Sequence, residues 1–145
     1  MPDNSLIYRM NRFPRGIAVI INNKTFLESS GQHLSPRAGT DVDRDALKKL
    51  FQKLQFKVEI HNNITKREIR FITAKMAAAD HSNYDAFIFT ILTHGEEGVV
   101  YGTDGTISIR DITSKFKSNA SLAGKPKIFF FQACQGMIGK EFIVQ

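Results

Sequence analysis

Two residues of this chain stand out for the covalent and acid–base chemistry they can do, Cys134 and His94. Cys134 is the only cysteine, and it follows the apolar run Lys127 to Gln132 (KIFFFQ). His94 follows another apolar run, Asp85 to Leu92 (DAFIFTIL). A thiol attacks a carbonyl best as its thiolate, and a nearby imidazole can take up the proton or stabilise the charge. The same imidazole can then protonate a leaving amine. Taken singly, neither residue argues for catalysis. A lone cysteine after an apolar strand is more often buried and inert, and a histidine before glycine is often only a turn residue. What raises them is placement: both are expected at the carboxyl ends of strands.

The elements that would put them there can be read from periodicity. Gly16 to Ile21 (GIAVII) is a short apolar run of strand length, closed by Asn22-Asn23. Lys24 to Gly39 is rich in Ser, Gly and Pro and reads as a long loop of the kind that is often functional. Thr40 to Leu54 reads as a helix, with Ala46, Leu47, Leu50, Phe51 and Leu54 at three- and four-residue spacing and Thr40 or Asp41 as its cap. Phe56 to Ile60 alternates as a strand. A second helix is expected from Thr65, which forms a capping box with Glu68, to about Asp80, with Ile69, Ile72 and Met76 on one stripe. Asp85 to Leu92 and Lys127 to Gln132 read as strands buried on both faces. Between them, Thr103-Asp104-Gly105 marks a hairpin, and Arg110 to Phe116 reads as a short helix. This alternation predicts an α/β sandwich with a mostly parallel sheet, in which ligands bind outside the carboxyl ends of the strands.

Composition bounds the rest. With 145 residues, 42% hydrophobic, the chain suits one folded domain with a sizeable core. The formal net charge of +6 is spread along the sequence without a basic block, which reads as a solvated surface. No P-loop, GxGxxG or basic-aromatic strip supports a nucleotide or nucleic-acid partner. His33, His61, His81 and His94 lack metal-ligand spacing. No cofactor or metal is expected. A single cysteine forbids an intrachain disulfide and suits a reducing compartment. Met1 to Phe13 has no apolar core of a secretory signal, and no run reaches the roughly 20 apolar residues of a membrane span. The chain therefore reads as cytoplasmic, and the Asn-x-Ser/Thr triplets at Asn23, Asn63 and Asn119 read as chance matches.

Gln132-Ala133-Cys134-Gln135-Gly136 fills a signature known around catalytic cysteines, and His94 lies 40 residues upstream. With YRMN at 8–11, IINN at 20–23, RAGTDVD at 37–43, THGEEG at 93–98, YGTDG at 101–105 and GKPKIFFFQACQG at 124–136, the chain resembles the large subunit of the caspases. Gln135 and Pro14-Arg15-Gly16 are similar to death-receptor initiators, TDVD and HGEEG to executioners. The resemblance implies a three-layer caspase-like sandwich and a cysteine endopeptidase that cleaves proteins after aspartate in apoptotic or related signalling. It implies Cys134 as nucleophile and His94 as general acid/base. It assigns Gly95 and the Cys134 amide to the oxyanion, and Arg37 and Gln132 to the pocket for the substrate aspartate. Such roles suit the groups: a guanidinium pairs bidentately with a carboxylate, and an amide adds a neutral donor.

Division into a polar lead-in (1–14), a large-subunit domain (15–136) and a short divergent tail (137–145) follows from the same resemblance. In that family a small subunit supplies further strands, a second pocket arginine, most of the groove and the dimer interface, and none of these is expected within this sequence. A small subunit and a dimer partner are thus implied for activity, and the strand 127–132 is expected to have an open edge that favours association. The competing reading is a non-catalytic regulator that keeps the fold and titrates caspase partners.

Overall fold

The computed structural model describes residues 7–27, 34–133 and 140–145. Its elements run β1 (Gly16–Asn22), α1 (Thr40–Lys53), β2 (Lys57–Asn62), α2 (Lys66–Ala78), β3 (Ala86–Thr93), then the small strands β4 (Gly95–Glu96), β5 (Val99–Gly102) and β6 (Gly105–Ser108). After them come α3 (Ile109–Thr113), two 3-10 turns (Ser114–Phe116 and Ala120–Leu122), β7 (Lys127–Ala133) and β8 (Lys140–Val144).

The main sheet has the order β2-β1-β3-β7-β8. Its first four strands are parallel, as expected for strands joined by helices. The apolar runs explain why the sheet needs two covering layers. In β1, Val19 and Ile21 face the larger core with Phe87, Phe89, Ile91, Phe129 and Phe131, while Ala18 and Ile20 face the other with Ile88 and Leu92. Strict alternation along a strand sends successive side chains to opposite faces, and here both sets are apolar. The larger core is closed by Ile69, Ile72 and Met76 of α2, Ile112 of α3, Phe116 and Leu122. Phe87 and Phe116 stack there at 4.9 Å, with Phe129 edge-on to Phe116 at 5.3 Å. The smaller core is closed by Phe51 and Leu47 of α1. On that side Leu47, Leu50, Leu54, Ile88, Ile128 and Phe130 line an apolar cleft of about 270 Å³. The three-layer α/β sandwich read from the sequence is the observed architecture.

Local signals decide where the helices begin, with one exception. Thr65 and Glu68 form the expected reciprocal cap of α2. The cap of α1 differs: Gly39, at φ 83°, takes the N-cap position, and no side chain caps the helix. Thr40 is already helical, and its hydroxyl is engaged elsewhere, as described below. A left-handed backbone at that position favours glycine, and the chain supplies one.

The end of the chain is the larger correction. Residues 140–144 form β8, which pairs antiparallel with β7 from Gln132↔Lys140 to Ile128↔Val144. The edge of β7 is therefore covered by the chain itself, whereas the sequence reading left it open. Among the described residues, no helix is long and apolar enough to cross a membrane.

Candidate active site

Parallel strands bring their carboxyl ends to one side of the sheet, and β1, β3 and β7 all end there. β1 ends in Asn22, β3 in Thr93 and β7 in Ala133. His94 is the residue after β3, and it is only 3% exposed. Its main chain is fixed by a bond from the Tyr101 amide to the His94 carbonyl (3.0 Å), and Thr93 Oγ1 donates to the Tyr101 carbonyl (2.6 Å). The hairpin that follows thus pins the histidine to the end of the sheet.

The imidazole is oriented by a backbone atom. His94 Nε2 lies 2.7 Å from the Ser35 carbonyl oxygen. A carbonyl only accepts, so Nε2 carries the hydrogen and donates it. In the neutral ring Nδ1 then holds the lone pair, and it is buried with no hydrogen-bond partner among the described residues. Phe26 lies against the ring, centroid to centroid 4.8 Å. A histidine held in one tautomer, its basic nitrogen without a partner among the described residues, is equipped to exchange a proton with a neighbouring group.

Ser35, Pro36, Arg37, Ala38, Thr40, Asp43 and His94 line one cleft of about 300 Å³. Arg37 is the unusual member, because arginine is rarely buried without partners and here it is 5% exposed. Its Nη1 donates to the Asn23 carbonyl (3.1 Å) and to Thr40 Oγ1 (2.7 Å). Thr40 passes the chain of bonds on to Asn22 Oδ1 (2.7 Å), and Asn22 Nδ2 donates to Asp41 Oδ1 (2.9 Å). That amide, with Lys24 and Arg44, holds the Asp41 carboxyl below its ordinary value. The loop is also tied by the Arg37 amide donating to the Lys24 carbonyl (2.9 Å). A charged guanidinium is thus set rigidly in the wall of the cleft that His94 also lines.

Of the residues singled out from sequence, His94 and Arg37 are brought together. Gly95 follows directly as the first residue of β4 and is buried. Gln132 is half-buried near the end of β7, in register with Leu92 of β3, at the same end of the sheet. It is not among the residues that line the cleft with His94 and Arg37. Cys134, with Gln135 and Gly136, lies outside the described residues, as does His33; Cys134 is the residue that follows β7. Sequence reasoning missed Ser35 and Asn22, and it gave Thr40 a different task. Ser35 acts through its carbonyl, which every residue has, so no residue type signals it.

A family model described as a caspase domain matches residues 15–144. Caspase-8 of Mus musculus is 46% identical over 138 residues, covering 90% of this chain and 29% of that protein. Caspase-3 of Mesocricetus auratus is 43% identical over 131 residues, covering 89% of this chain and 47% of that protein. Caspase-3 of Felis catus is 41% identical over 136 residues, covering 92% and 48%. The chain spans less than half the length of these curated relatives.

Proposed function

Because the chain belongs to the caspase family, we propose that it is the nucleophile-bearing part of a cysteine endopeptidase that cleaves proteins after aspartate in apoptotic or related signalling. Cys134 is the nucleophile. His94 takes the thiol proton at Nδ1 and later delivers it to the leaving amine. Gly95 and the Cys134 amide donate to the oxyanion. Arg37 and Gln132 receive the carboxylate of the substrate aspartate. A small subunit completes the groove and the dimer, and the working compartment is the cytoplasm.

One observation carries this reading: a histidine with a single defined tautomer, whose basic nitrogen has no hydrogen-bond partner among the described residues, shares a cleft with a buried, immobilised arginine. Burial is what gives the arginine selectivity. A carboxylate that enters this wall exchanges water for a charge-assisted bond, whereas a neutral amide loses water without that return.

The test is hydrolysis of a fluorogenic peptide ending in aspartate, with an asparagine-ended twin and Cys134→Ala as controls. The chain is assayed alone and with a caspase small subunit supplied separately. Turnover is expected with the subunit, to depend on aspartate, and to vanish in Cys134→Ala. Silence of a folded chain in both conditions would sink the protease reading. The regulator reading would then take its place, and β8 supports it, since the chain covers the β7 edge with its own strand.

A further inference from the structure

The four parallel strands of the main sheet obey the strand–helix alternation, and β8 does not. It follows β7 after residues 134–139 alone and returns antiparallel along the edge that β7 would otherwise present. The hydrogen-bonding phase can be assigned. Lys127 and Gln145 exchange both backbone bonds, N–H to carbonyl at 3.1 and 2.9 Å. Bonded and non-bonded pairs alternate along an antiparallel ladder. The next bonded pairs are therefore Phe129 with Ile143 and Phe131 with Glu141. The amides of Lys127, Phe129 and Phe131 point to β8, while those of Ile128 and Phe130 point to β3.

Side chains anchor the two strands very differently. Phe129 and Phe131 are wholly buried in the larger core. Ile143 is only partly buried against that core, and Val144 is 57% exposed. The described side chains of β8 thus add little to its ladder, and a ladder can be exchanged for another strand's ladder without loss of bonds. β7 is also the strand that runs through Gln132 directly into Cys134.

We propose that β8 is a built-in, displaceable cap on the β7 edge. It occupies the backbone positions that an extended strand of a companion subunit would take, so assembly at this edge requires β8 to peel away first. The inference rests on the companion-subunit part of the function proposed above. A cap of this kind lowers the apparent affinity for the companion by the fraction of time the edge is free. It also protects the edge from pairing with unrelated chains.

The experiment uses the Cys134→Ala chain, so that nothing in it depends on catalysis. It is compared with the same chain lacking 140–145 and with Ile143→Pro, which removes the amide facing Phe129. Residue-resolved hydrogen exchange should show the Lys127, Phe129 and Phe131 amides slow in the parent and fast in both variants. The Ile128 and Phe130 amides should stay slow in all three, which reports an intact sheet. A caspase small subunit added as a separate chain should associate at least about tenfold faster with either variant than with the parent. Equal protection at Phe129 and Phe131 in parent and deletion would overturn the proposal. So would equal association in all three, including none. Should the exchange and association results hold while Asp-dependent turnover fails, the cap stands and the protease reading falls.

Discussion

Arg37, proposed to receive the substrate carboxylate, shows how much a binding residue depends on the residues that hold it. Its guanidinium is fixed by Thr40 Oγ1, and Thr40 is in turn fixed by Asn22 at the end of β1. Thr40 reads in sequence as a helix cap, because a hydroxyl residue stands before an apolar-periodic run. The cap position falls to Gly39, which leaves the hydroxyl for the arginine. Thr40→Val keeps the shape and removes this link, leaving buried polar partners unsatisfied at about 1–3 kcal/mol. The expected result is a fall of roughly tenfold in kcat/KM for an aspartate-ended peptide, mainly through KM. Discrimination against the asparagine twin should shrink with it. Thr40→Ser should restore most of both, which a merely structural role would not require. The residues proposed to react, Cys134 and His94, could be singled out in sequence because the chemistry proposed for them depends on side-chain type. The residues that hold them were not: Ser35 acts through a carbonyl, and Asn22 and Thr40 act through contacts made only when β1 and α1 meet.

At the scale of elements, legibility follows how local the determinants are. β1, β3 and β7 announce themselves because both faces are apolar, and α2 does so through its capping box. β8 gives no such signal. Lys140–Val144 is five residues long, and it becomes a strand only because β7 offers an edge, a non-local condition that periodicity does not contain. Close packing of β1 on β3 is another property that only the assembled sheet reveals. A Cβ built on Gly16 would lie 1.8 Å from the Ala86 carbonyl oxygen, which is backbone and has nowhere to swing. Gly16→Ala must therefore push the two strands apart where their pairing begins, at Gly16↔Ala86. Overpacking of this kind typically costs about 1–3 kcal/mol. Urea denaturation should show the midpoint lowered with an unchanged slope; an unaltered midpoint would mean that the strands do not approach as described.

For the molecule as a whole, the polar lead-in is not a passive extension. Asp85, just ahead of β3, is 2% exposed, and its Oδ2 accepts the amides of Asn11 and Arg12, both at 2.8 Å. The Arg12 guanidinium lies 3.5 Å from Oδ1, and Arg12 also donates to the carbonyls of Ser82 and Tyr84. One carboxylate thus clasps residues 11 and 12 to the start of the central strand. His94 follows the other end of the same strand, so the clasp and the cleft are separated by the full length of β3. Hydrogen bonds to a charged group contribute about 1.5–3 kcal/mol, and Asp85→Ala should lower stability by that amount. Residues 7–14 should at the same time become more sensitive to limited proteolysis, since the Arg12 bonds to the Ser82 and Tyr84 carbonyls would have to hold them without the carboxylate. The cleft is expected to respond differently. With the fold still populated, hydrolysis per folded molecule should be unchanged in Asp85→Ala, the reverse of the pattern for Thr40→Val. A loss of hydrolysis in proportion to the loss of stability would mean instead that the two ends of β3 are coupled through the sheet. Measuring activity and denaturation on the same samples separates these outcomes.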